Sequence, residues 1–349
     1  MSNEPEDMSL RRSGFSVRKE RLYHRLFAVC AVLTIVVTVG IILSLSGGAL
    51  AFWSEISPID YFTGTNWSPV IEGEFGVLPL VTGTLIVTIL SAVIALPIGL
   101  AAAIYLSEYA SNRARSVLKP ALEILAGVPT VVYGYMALVY VTPLIDSVLP
   151  FSQTVIPEWA SFSQQIIPEG VPVLPEFTLV VPEVTLTMPS LRTFNALSAS
   201  IVVGIMIIPM VSSISEDALS AVPDSLREAA YGMGSTKFDV STKVVVPSAT
   251  SGIVASYVLA LSRAIGETMA VTMAMGQSPQ MPFLDNVFRN LAESGQTITA
   301  AIVQIANADS IGGTGYNSLF ALGLTLFAVT LLMNILAEAV RRRFREEYD

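Results

Sequence analysis

Cysteine and histidine are almost missing from the 349 residues: Cys30 and His24 are the only ones. A disulfide framework and a Cys/His metal cluster are therefore excluded. Charge is scarce too. Asp, Glu, Lys and Arg make up 13% of the chain, against about 25% in a typical soluble domain. Lysine occurs only as Lys19, Lys119, Lys237 and Lys243, and the formal net charge is −9. With a pI near 4.8, the chain lacks the basic face that nucleic-acid binding requires. No GxxxxGK[ST] phosphate loop occurs; GMGSTK at 232–237 has the wrong spacing and follows no strand. No nucleophile–base set stands out. The chain does not read as an enzyme, and no cofactor or metal is expected.

What is abundant is apolar. Hydrophobic residues account for 52%, and mean hydropathy is +0.64. About 20 consecutive apolar residues suffice to span a bilayer, and six stretches qualify: 26–50, 77–106, 121–146, 196–215, 252–275 and 317–339. The expectation is an all-α polytopic membrane protein with six transmembrane helices. Basic residues orient it. Sixteen of the 19 lie in the N-terminal tail, the loops after the second and fourth runs, and the C-terminal tail. The opposite side has only Arg192 and Arg289, with many acids. Positive-inside bias places both termini in the cytoplasm. The first run is too long and too far behind a charged tail to be a cleaved signal peptide.

Two segments stand apart from the membrane domain at 23–349. Residues 1–22, polar and of mixed charge, read as a disordered cytoplasmic tail. The external insert at 147–195 holds Pro150, Pro157, Pro168, Pro172, Pro175, Pro182 and Pro189, which forbid a regular helix through it. Within it, residues 183–188 alternate polar and apolar, a weak strand signal. A small β-like cap and an irregular linker both fit.

Between the fourth and fifth runs lies EAAYGMGSTKFDVSTKVVVP at 228–247. A cytoplasmic segment at 224–248 with no nucleotide site of its own suits a contact through which force arrives. Gly234 permits a sharp turn between two short helices, and Pro247 stops the second before the fifth run. Inside the fifth run, Arg263 and Glu267 sit four apart, which in a continuous helix puts them one turn apart on one face. That stripe continues through Ser256, Ala260, Ala270 and Ala274. An ionisable group at mid-membrane costs roughly 2.5–3.5 kcal/mol on insertion scales, so it faces a cavity, a partner or a pathway. The arginine fork suits an oxyanion such as phosphate or sulfate. The alternative is a buried pair that only fixes helix packing.

The 228–247 segment resembles the EAA loop of ABC-importer permeases: Glu228, Ala229, Ala230, Gly234 and Pro247 match, and valines replace the Ile and Leu before the proline. RAIGETMAVTMAMG at 263–276 narrows the resemblance to the PstC type of phosphate permease. GVLPLVTGTLIVTILSAVIALPIGLAAAIYLSEYA at 76–110, LAGVPTVVYGYMAL at 125–138 and GIMIIPMVSSISEDAL at 204–219 agree with it. The resemblance implies the MetI-like importer permease fold and a PstA-type permease as heterodimer partner. It further implies a PstB-type ATPase dimer that docks on the EAA loop, and a PstS-type binding protein that delivers phosphate. It puts Arg263 and Glu267 on the substrate pathway and Glu228, Ala229, Ala230 and Gly234 at the ATPase contact. The insert at 147–195 departs from the family pattern. The rivals are a permease for sulfate or molybdate and, further off, an ion-coupled secondary transporter, for which no inverted repeat is visible.

Overall fold

The computed structural model describes residues 14–69, 71–148, 154–155, 186–187, 191–283, 286–308 and 313–343. The chain is almost wholly helical there. The first element, α1 (Gly14–Glu55), is apolar on every side and almost wholly exposed, as suits a helix surrounded by lipid. It leads into α2 (Pro58–Thr63) and a small antiparallel pair, β1 (Trp67–Ser68) and β2 (Glu74–Phe75), with Trp67 opposite Phe75. Next, α3 (Leu78–Ile104) ends in a π turn at Tyr105–Tyr109. Then come α4 (Asn112–Ala126), α5 (Thr130–Met136) and α6 (Thr142–Val148), the last two joined by a π turn at Ala137–Val141.

The central helix is α7 (Ala196–Ser220). It packs along most of α3, and 61% of its most apolar window is buried, against none of α1's. After it run α8 (Asp224–Gly232), α9 (Lys237–Val240), a π turn at Ser241–Val245, and α10 (Val246–Ser248). The chain re-enters the bundle as α11 (Thr250–Ile265) and α12 (Met269–Met275). It finishes with α13 (Val287–Ala292), α14 (Ile298–Ala306) and α15 (Thr314–Arg343). With no hydrophobic drive between helices inside lipid, close van der Waals fit holds such a bundle. At Gly252 any Cβ would collide with Ala218, so only glycine lets α11 approach α7 there.

Among the described residues, five helices are long and apolar enough to cross a membrane: Leu22–Glu55, Leu78–Tyr109, Thr130–Val148, Ala196–Ser220 and Thr314–Leu336. A sixth crossing exists if Lys237–Ser248 and Thr250–Ile265, bent by 70° at their junction, form one span. Two expected stretches are corrected. The third begins at Thr130, not 121, because Pro129 (φ −57°, ψ 135°) forces a break and disfavours helix at the residue before it. Residues 112–126 become the separate α4, which buries no side chain. The fifth is not continuous over 252–275, since the helix stops at Ile265 and resumes at Met269. The tail expected to be disordered over 1–22 is helical from Gly14, and residues 1–13 lie outside the described residues. In the insert, Leu186–Thr187 of the alternating segment pairs antiparallel with Thr154–Val155; the rest of 149–190 lies outside the described residues.

Among the described residues, three apolar clusters form the core. One lies between α3, α5, α7, α11 and α12, around Val203, Ile207, Ala260 and Ala270. A second joins α1, α2, the β pair, α14 and α15 through Phe52, Tyr61, Trp67 and Phe75. There Phe52 meets Tyr61 edge-on at 5.5 Å and Phe75 at 5.2 Å, pairs worth about 0.5–1.5 kcal/mol each beyond burial. The Tyr61 hydroxyl, buried, lies 3.0 Å from Thr325 Oγ1 on α15. The third cluster sits under α8 to α10 and contains Ala103, Leu219, Ala230, Val240 and Val245.

Candidate functional site

The 228–247 segment folds as two short helices joined at Gly234. Ser235 N–H donates to the Ala230 carbonyl (3.2 Å) and Gly234 N–H to that of Tyr231 (2.9 Å). With Gly234 at φ +83°, these two bonds make a Schellman ending to α8, which needs a left-handed residue at that position. Two residues later Thr236 caps α9, accepting from Asp239 N–H at 3.2 Å while its hydroxyl donates to the Asp239 carboxylate at 2.6 Å. The Lys243 ammonium, then the Thr236 hydroxyl, hold that carboxyl below its usual range.

Burial divides the segment into two faces. Ala230, Val240 and Val245 point into the third cluster. Glu228 and Ala229 are exposed, as are three large apolar side chains: Met233 at 81%, Phe238 at 66% and Tyr231 at 43%. An exposed apolar patch rimmed by charge is the usual signature of a protein contact.

Buried charge ties this segment to the spans, and sequence reasoning missed it. Glu216, with no exposed surface, lies in the last turns of α7. It accepts from Arg115 and, at 2.6 Å, from Lys119, both on α4. Glu108, in the π turn that ends α3, pairs with Arg227 of α8 at 3.1 Å; their side chains are only 6% and 15% exposed. These partners lie about a hundred residues apart in the chain, so no local spacing announces them.

Arg263 and Glu267 do not stand one turn apart on one face. Gly266 closes α11, accepting no further turn, and the chain passes through residues 266–268 before α12. Arg263 is exposed, and its guanidinium has no ion pair or hydrogen bond among the described residues. Beside it, Ser262 Oγ donates to Asn334 Oδ1 of α15 at 2.9 Å. Glu267 is buried, 6% exposed. Among the described residues its Oε1 accepts only from Ala270 N–H, at 3.3 Å, and its backbone carbonyl accepts from Thr299 Oγ1 at 2.8 Å. Ser256, Ala260, Ala270 and Ala274 of the expected stripe are all buried. At the far end of α12 a cavity of about 840 Å³ opens between Arg192, Phe194, Thr272, Gln277, Ser278 and Ser294. Arg192 there pairs with Glu293 at 2.6 Å.

Residues 95–346 match the family described as binding-protein-dependent transport system inner membrane component. The chain belongs to this family. It is 31% identical to the probable ABC transporter permease protein YqgH of Bacillus subtilis, over 98% of this chain and 99% of that protein. It is 31% identical to the phosphate transport system permease protein PstC of Mesorhizobium japonicum (97% of this chain, 93% of that protein). Identity to the PstC of Haemophilus influenzae is 32%, over 94% of each. A chain of a bacterial ABC transporter involved in alginate import superposes with a TM-score of 0.54 at 15% identity, covering 94% of this chain and all of that one, which bears on the fold alone. The PstC-type resemblance and the importer-permease fold read from the sequence therefore hold. As a member of this family with several apolar spanning helices, the permease is a multi-pass protein of the cell membrane.

Proposed function

We propose that this permease is the subunit through which an ATP-driven importer moves inorganic phosphate across the cell membrane. The observation that carries the reading is similarity to PstC permeases along nearly the whole of both chains. Importers of this family work with a second permease, an ATPase and a binding protein. The partners here are a PstA-type permease, a PstB-type ATPase dimer and a PstS-type phosphate-binding protein. The permease itself is non-catalytic; ATP is hydrolysed by the ATPase.

Both termini and the EAA segment face the cytoplasm. Positive-inside bias supports this. So does the antiparallel packing of α1 on α15, in which Glu55 meets Thr314, so the start of α1 and the end of α15 share one side. Met233, Phe238 and Tyr231, with Glu228, Ala229 and Gly234 around them, form the face that the ATPase engages. Ala230 fixes the helix from beneath.

Phosphate enters from the binding protein by way of the cavity at Arg192 and Thr272. Arg263, exposed and without a partner among the described residues, offers a transient anion-attracting step towards the partner permease. Glu267 limits how much negative charge gathers there. A tight site would slow release, so affinity within the permease is weak and specificity rests mainly in the binding protein. Labelled-phosphate uptake in cells lacking this gene tests the reading. The intact gene should restore uptake that excess sulfate or molybdate does not compete and that ATP depletion abolishes. Competition by sulfate would reassign the substrate, and uptake indifferent to ATP would favour a secondary transporter.

A further inference from the structure

Arg227 immediately precedes Glu228, and three elements converge on its guanidinium. Nη1 donates to the carbonyl of Val222 at 2.5 Å and to the Asp224 carboxylate at 3.1 Å. Nη2 donates to the carbonyl of Leu219 at 2.8 Å and to Glu108 Oε1 at 3.1 Å. Leu219 and Val222 lie at the C-terminal end of α7, where the last carbonyls lack helical partners and the helix dipole favours a cation. Glu108 belongs to the π turn that ends α3, a wide turn of the kind often found at functional positions. The second helix of the segment reaches the same turn, with Lys237 Nζ lying 5.0 Å above the Tyr109 ring.

We propose that the Glu108–Arg227 contact is the strut that carries movement of the EAA helix into the two central spans. The proposal rests on the reading that the EAA segment docks on an ATPase. The argument is mechanical. A planar, largely buried fork holds one group in fixed geometry against several acceptors at once. A displacement of α8 must therefore take the end of α7 and the end of α3 with it, or break the three hydrogen bonds to Val222, Leu219 and Glu108. Since α7 is the most buried span, a push at its end reaches the centre of the bundle. The Lys243–Asp239 pair makes the contrast. It lies within one helical stretch, with the lysine side chain 74% exposed, and can transmit nothing to the spans. Arg227 and Glu108 are thus positioning residues, and neither needs to touch phosphate.

The test uses the whole importer in cells, with Glu108→Arg, Arg227→Glu and the swapped double variant. Each is read by labelled-phosphate uptake, by ATPase co-purification and by ATPase stimulation on adding phosphate-loaded binding protein. Each single reversal should lower uptake and stimulated ATPase activity about tenfold or more with co-purification unchanged, and the double should recover part of the loss, as expected of a directly coupled pair, since a carboxylate at 227 restores the charge pair but cannot donate to the carbonyls of Leu219 and Val222. A double variant no better than the singles would overturn the strut, as would singles with wild-type uptake. Loss of co-purification would also overturn it, by making Arg227 part of the docking face. Should the reversals fail to accumulate in the membrane, Arg227→Gln, which removes charge but keeps donors for the carbonyls, gives the answer: reduced uptake supports the strut and wild-type uptake contradicts it. The docking reading fails separately, if Glu228 and Gly234 variants retain both co-purification and uptake.

Discussion

At the end of the bundle beneath the EAA segment, Glu108 and Glu216 are buried and each meets a cation from another helix. At the break between α11 and α12, among the described residues, Arg263 is exposed without a partner and Glu267 is buried with a single backbone N–H on its carboxylate. Both regions place charge at or near apolar spans, and desolvation penalises both. In the first, ion pairs and carbonyls offset the penalty, and the result is a fixed frame. In the second, the helix breaks between the two residues, so Glu267 is not carried onto the face of Arg263, and Arg263 stays exposed with no partner among the described residues. A satisfied network suits transmission of force, since it keeps its geometry under load. An unsatisfied arginine suits a passing anion, since nothing has to be displaced before phosphate meets it.

The largest expected effect follows from breaking the first region. Glu216→Ala would leave Arg115 and Lys119 facing each other without their carboxylate. Removing one partner of a buried pair costs about 3–5 kcal/mol; with both cations a third or more exposed, solvent screening reduces this to about 2–3 kcal/mol. The variant should show lower membrane abundance and a lower melting temperature in detergent. Next, Gly234→Val forces a β-branched residue to φ +83°, a strain of about 1–3 kcal/mol. It should weaken ATPase co-purification while the spans stay folded. Tyr61→Phe removes the hydroxyl contact with Thr325 and should cost about 1 kcal/mol, visible in melting but not in uptake. The smallest effect belongs to Lys243→Gln. Its partner Asp239 has a carboxyl held below the ordinary range. What that pair contributes is present above the ordinary carboxylate range and lost only as pH falls through the lowered value. The pair is formed at neutral pH but lies within one helical stretch, with the lysine 74% exposed, so uptake there should match wild type.

Much of the fold was legible in residue order. Long apolar runs marked the spans, flanking arginines and lysines suggested their direction, and Gly234 with Pro247 bounded the EAA turn. The break at residues 266–268 was not, because hydropathy sees an unbroken apolar run where Gly266 ends one helix and Thr268 precedes the next. Pro129 carried a clear signal, since helices seldom run through the residue before a proline, and weighing it would have moved the third span to Thr130. Glu216 and Glu108 offered no such cue. Their significance comes from Arg115, Lys119 and Arg227, which only tertiary packing brings to them. At the EAA segment the sequence marked the motif but not its sidedness. That Ala230 faces inward while Glu228 and Ala229 face outward depends on how α8 lies on Leu219 and Val245.

Labelled-phosphate uptake by cells that lack the native gene and carry either the wild type or Arg263→Gln, matched for membrane abundance by blot, tests the contrast most directly. The free arginine predicts that wild type restores uptake and that the variant falls about tenfold or more, equivalent to at least about 1.4 kcal/mol of lost stabilisation along the path. Equal uptake by the two proteins would contradict the account and leave Arg263 with no part in moving phosphate.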